Sequence, residues 1–261
     1  MGHQRIGTLP RSVPWRSIVQ DLSTPVLSDK AVEELAQQTL SLVRSRFRRI
    51  EADSGVRTAF AFLVALSISG KGGDVAQAIT RSLGVALPAD RSALAIVRAA
   101  RDLVSARADS LEYGEIAKSA VGDAIAAWHT RERTQPDLFV SSQESSALWS
   151  RASTGAGFCE LSRLFFARFT ERYLNYFLER AASDQTRSIA ERDRLMSRLH
   201  SHIDRISQHA FETARITQSF AAGWFNRHAN VPGLTDADVH GFLAIAFGKL
   251  RDELLRESQV P

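Results

Sequence analysis

Apolar residues recur along most of this chain at intervals of three and four, the spacing of one helix face, and not in the alternation that marks a strand. After Ser28, an N-cap residue followed by Asp29, the series Leu35, Thr39, Leu42, Val43, Phe47 and Ile50 predicts a helix of about 20 residues. Val56 to Ser69 is apolar at nearly every position and ends at Gly70, Gly72 and Gly73, which predicts a helix buried all round. Asp74 is the expected cap of a short helix reaching Leu83, and Gly84 and Pro88 break the chain after it. Helices are predicted over 89–108 and 111–133. Residues 134–146 hold Pro136 and several serines with few periodic apolar positions, and read as a linker.

Past that point, Phe158 to Ala182 predicts a strong helix, with Phe158, Leu161, Phe165, Phe169, Tyr173, Tyr176 and Phe177 along one side. Met196, Leu199, Ile203, Ile206, Ala210, Thr213, Thr217, Phe220 and Trp224 form a heptad-like seam within 185–227. That stretch reads as one very long helix or as two, with Gly223 placed to bend or end it. Thr235 with Asp238 three residues on resembles a capping box, and opens a last helix to about Glu257. No convincing strand is found. The expected fold is all-α, a multi-helix bundle of about eight helices with one long helix in its C-terminal half.

Residues 1–27 differ from the rest. Pro10, Pro14 and Pro25 interrupt them, while Ile6, Leu9, Val13, Trp15, Ile18 and Val19 supply apolar anchors. They read as an irregular arm lying across the body. The expected organisation is therefore an arm over 1–27, a helical subdomain over 28–133, a linker over 134–146, and a second helical subdomain over 147–261.

Composition narrows the function classes. Hydrophobic residues make up 44% of the 261 and charged residues 24%, enough to build a core and unlike a disordered chain. The single cysteine, Cys159, excludes an intramolecular disulfide framework and an all-cysteine zinc site. The longest apolar run, Ala59 to Leu66, falls well short of the roughly 20 residues that span a bilayer. The N-terminus has no apolar stretch after its basic residues, as a secretory signal would. A cytoplasmic protein with no membrane partner is expected. The formal charge is +4 and is spread over both halves, so no basic tail points to nucleic acid. The basic residues are unusual in kind: four are lysine and 29 arginine, a bias that codon usage explains more readily than binding does.

The motifs that carry chemistry are incomplete. Ser69 to Asp74 (SGKGGD) resembles a phosphate loop, but Ala65 stands at the first glycine position and Gly72 where the magnesium-binding hydroxyl belongs. It reads as an interhelical turn. Ser153 to Gly157 (STGAG) reads as an ordinary helix start. His200, His202 and His209 lack the spacing of a single-face chelate, although His200 and Asp204 have it. No metal site and no cofactor are expected. Pro136-Asp137 lacks the second carboxylate and lysine of a metal-dependent nuclease.

Two arginine groups are candidate nucleic-acid contacts. Arg168 and Arg172 lie among aromatics in the 158–182 helix, where phosphate pairing and base stacking could combine. The same aromatics suit a core, with the arginines flanking Glu171 towards solvent or a partner. Arg44, Arg46, Arg48 and Arg49 are the densest basic run and spread around their helix as a collar. Arg194 and His200, with five residues between them, resemble the Arg-x4–6-His signature of helical HEPN-type ribonucleases, which implies attack on an RNA phosphodiester. Leu195 replaces the polar residue that often follows that arginine.

Three further stretches carry a broader resemblance. They are His3 to Arg11 (HQRIGTLPR) with Trp15-Arg16, Phe169 to Phe177 (FTERYLNYF), and Phe220 to Phe225 (FAAGWF) with Gly241-Phe242. Together they resemble an uncharacterised group of bacterial helical proteins from multi-gene clusters, with antiviral defence as one setting. That resemblance implies a subunit working beside other proteins of the same cluster, and brings no catalytic residues. The first expectation is a non-enzymatic subunit of a bacterial multiprotein assembly, with Trp15, Arg16, Trp224 and Phe225 as candidate protein contacts. The alternatives are a DNA- or RNA-binding helical protein and a HEPN-like ribonuclease using Arg194 and His200.

Overall fold

The computed structural model describes residues 50–132, 148–183, 188–190, 193–198, 200, 201 and 215–257. The expected arm, the helix expected after Ser28 and the 134–146 linker lie outside the described residues, save for Ile50. So do Trp15, Arg16, Arg44, Arg46, Arg48 and Arg49. Among the described residues the chain is almost wholly helical and has no strand, an all-α multi-helix bundle. A 3-10 turn, Ile50–Ala52, leads into seven α-helices. They are α1 (Ser54–Ser69), α2 (Gly73–Ser82), α3 (Ala93–Arg107), α4 (Leu111–Glu132), α5 (Gly155–Ser183), α6 (Arg215–His228) and α7 (Asp236–Glu257).

Helix α1 is the hub because its sequence has no polar stripe to give to water. Every residue from Thr58 to Ile68 is buried, and α2, α3, α4, α5 and α7 all pack on it. Its N-cap, Asp53, accepts a hydrogen bond from the Val56 amide at 3.1 Å and another from the Ser110 hydroxyl at 2.5 Å. That hydroxyl in turn accepts from the Tyr113 amide at 3.1 Å. One carboxylate thus satisfies an orphan donor at the start of α1 and fixes the cap of α4. The two helix starts can lie this close because both carry glycine: a Cβ on Gly55 would stand 2.8 Å from the Gly114 Cα.

The turn after α1 corrects one expectation. Asp74 lies in the first turn of α2 and the N-cap is Gly72. Gly72 and Gly73 have φ of +69° and +81°, a backbone region that glycine reaches without a Cβ clash. The SGKGGD stretch is an interhelical turn. Its Lys71 ammonium donates to Asn230 Oδ1 at 2.9 Å and lies 5.4 Å from the centre of the Phe225 ring.

Aromatic packing joins the two ends of the described chain. Phe60 of α1 stacks on Phe242 of α7 with centroids 5.0 Å apart, and Phe158 of α5 stacks on Phe225 of α6 at 4.6 Å. Phe165, Phe166, Phe169 and Tyr173 complete the filling, all fully buried. Core residues from both sides of 134–146 enter one contiguous apolar cluster, so those helices share a core. At the start of α5 the Thr154 hydroxyl accepts from the Gly157 amide at 3.0 Å, an ordinary cap. Before α7 the box closes as expected: Asp238 Oδ2 accepts from the Thr235 amide at 2.9 Å, and the Asp238 amide donates to the Thr235 hydroxyl at 3.3 Å.

Of the expected long helix, 193–198 and α6 are helical, and 202–214 lie outside the described residues. Helix α6 runs through Gly223 to His228, so that glycine does not end it.

Candidate interaction face

The outward side of α5 carries the two described arginines of the nucleic-acid reading, and each is held by a carboxylate. Arg168 Nη1 donates to Glu171 Oε2 at 3.0 Å and lies 2.8 and 2.9 Å from the two ring nitrogens of His200. Glu171 Oε1 is 2.6 Å from His200 Nδ1. Arg172 reaches across to α4 and pairs with Asp123 at 2.5 Å. Both arginines are thus paired within the fold, Arg168 mostly buried and Arg172 still open to solvent, its side chain 41% exposed.

The same geometry places the Arg194–His200 pair. Arg194 is exposed on the helical stretch 193–198, while both His200 nitrogens sit within hydrogen-bond distance of groups on α5. His200 fastens its segment to α5 through Glu171 and Arg168. Among the described residues, no three histidine, cysteine, aspartate or glutamate side chains come together in a way that could hold a metal ion. Among the same residues, no helix is long and apolar enough to cross a membrane.

The candidate contacts on α6 are also placed. Phe225 is fully buried against Phe158, which removes it from any surface. Trp224 is half-buried, stacked 5.8 Å from Phe158 and 4.6 Å from the His228 ring. Both side chains serve the core, because the aromatic cluster needs them to close the α5–α6 contact.

A different face emerges on α3. Its buried positions are Ile96, Ala100 and Val104, one turn apart on the side that meets α1 and α4. Leu94 points the other way, roughly 200° round the helix from Ile96, and is 80% exposed. Arg98 and Arg101 follow it at four and seven residues, on the same outward stripe, and both are exposed. Beside the stripe is a cleft of about 400 Å³ between α3, α4 and α5, lined by Leu94, Val97 and Arg101 on one side and Gly122, Asp123 and Arg172 on the other. Gly122 packs directly against α3 there: a Cβ on it would stand 3.3 Å from Val97 Cγ1.

Sequence reasoning missed this face. The signal was present, since Leu94 breaks the Ile96, Ala100, Val104 pattern, but an alanine-rich helix tolerates several choices of buried side. Comparison with protein-family models, curated proteins and solved structures gives no match to the chain.

Proposed function

We propose that this chain is a non-enzymatic helical subunit of a bacterial multiprotein assembly, working in the cytoplasm, and that it meets its partner through α3. The resemblance of its sequence to helical proteins of multi-gene clusters makes antiviral defence the setting to test first. The observation that carries the reading is Leu94, a large apolar side chain 80% exposed beside Arg98 and Arg101 on a helix whose opposite face is locked into the core. Such a helix offers a partner apolar area flanked by arginine, a residue enriched at interfaces. The cleft alongside gives a partner somewhere to insert.

The test is affinity purification of the tagged full chain from its native host, with half the sample treated with nuclease. Stoichiometric protein partners that survive nuclease support the subunit reading. Partners lost on treatment would move the reading to DNA or RNA binding, and no protein partner in either half would sink it.

A further inference from the structure

We infer that the α3–α4 cleft receives an amphipathic helix of the partner protein, one that carries an acidic side chain about two turns from a large apolar one. The inference rests on the subunit reading above and names the partner's chemistry. From Ala93 to Arg101 the cleft spans nine residues of α3, about 12 Å or two helical turns. Its floor is narrow because Gly122 brings α4 close to Val97 of α3. Two helices this close leave a groove into which the ridge of a third can pack. Recognition by an amphipathic helix of this kind is read through anchors at i, i+3, i+4 and i+7.

Charge selects the occupant. Among the described residues Asp123 is the one carboxylate lining the cleft, and it already accepts Arg172 through Oδ2, at 2.7 Å from Nε and 2.5 Å from Nη2. Arg98 and Arg101 therefore give the outward stripe its net positive charge. Asp102, also exposed, lies roughly 80° round α3 from Leu94, towards the edge of that stripe. Leu94 and Arg101 are seven residues apart, so an incoming helix lying along α3 meets an apolar contact at one end and a cation at the other. A glutamate or aspartate seven residues from a leucine or phenylalanine matches both at once. A nucleic acid offers no apolar group to match the exposed Leu94.

The experiment uses the tagged full chain in its host, with p-benzoylphenylalanine in place of Leu94 as a photo-crosslinker and mass spectrometry of the crosslinked peptide. The expected product is a helical segment of a different protein, with apolar and acidic residues seven apart. In parallel, Leu94→Asp and Arg101→Glu are expected to weaken capture of that protein about tenfold or more, with helicity and melting temperature unchanged. Lysine in place of the partner's acidic residue is expected to restore capture by the Arg101→Glu chain. A crosslink to nucleic acid, to a second copy of this chain or to a segment without that pattern would overturn the inference. So would full capture by both variants, which leaves the subunit reading standing; a host purification with no protein partner removes that reading itself.

Discussion

Asp123 Oδ2 takes Arg172 by two of its nitrogens, Nε at 2.7 Å and Nη2 at 2.5 Å, and so ties α4 to α5 at the edge of the α3–α4 cleft. The side chains are 38% and 41% exposed, so water screens the pair despite its short contacts. A double-mutant cycle with Asp123→Ala and Arg172→Ala is expected to give a coupling of about 0.2–1 kcal/mol, smaller in high salt. A coupling of several kcal/mol would show that the cleft excludes water.

Phe225 carries a much larger share of stability. It is fully buried and stacked on Phe158, with the Lys71 ammonium over its ring. Phe225→Ala is expected to cost about 3–5 kcal/mol in denaturant unfolding, from lost transfer energy and the cavity left behind. A loss under about 1 kcal/mol would place the ring outside the core.

These two residues show what could be read from the chain and what could not. Helices α1, α3, α4, α5 and α7 fall within a few residues of their expected spans, because apolar spacing and caps are local signals. Thr235 with Asp238 was legible for the same reason. Phe225 was legible as an apolar anchor, with packing inside the chain as the equal alternative, since periodicity on one helix does not say whether the apolar side meets α5 or a partner. Arg172 was legible as a cation, yet its acid, Asp123, lies 49 positions earlier, and no local pattern joins them. The cleft was hidden more deeply. It depends on Gly122 letting α3 and α4 close together, a pairing known only once the fold is known.

Gly157 is expected to tolerate no side chain. A Cβ there would stand 2.1 Å from the Arg151 carbonyl oxygen, which belongs to the helical turn at 148–152. Gly157→Ala must push that turn off the start of α5, and should cost about 1–3 kcal/mol in thermal or denaturant unfolding. An unchanged midpoint would mean that the turn yields freely.

The α7 cap predicts an acid-sensitive contribution. The Thr235 hydroxyl and amide hold the Asp238 carboxyl below its ordinary value, with a smaller push from His228. A carboxyl depressed in the folded state stabilises that state above its unfolded value, and the contribution is lost as pH falls through the folded value. Thr235→Ala is expected to cost about 1 kcal/mol near neutral pH. The stability gap between the parent and Asp238→Asn should shrink as pH is lowered towards about 2. A gap that stays constant would show that the carboxylate takes no part in the box.

Cys159, buried at the start of α5, reports on the aromatic core. Burial, and then the neighbouring Glu160 charge, push its thiol up to about 11, with Arg163 pulling weakly the other way. Only the thiolate attacks a disulfide reagent, and at neutral pH about one thiol in ten thousand is ionised at that value. Labelling of the native chain should therefore be slow, and should become fast once denaturant exposes the start of α5. The ring beside it, Phe158, is the one that Phe225 stacks on. Phe225→Ala should accordingly speed native-state labelling as well as lower stability, because both follow from opening the α5–α6 contact. Labelling that stays slow while stability falls would mean that the lost energy lies elsewhere in the core.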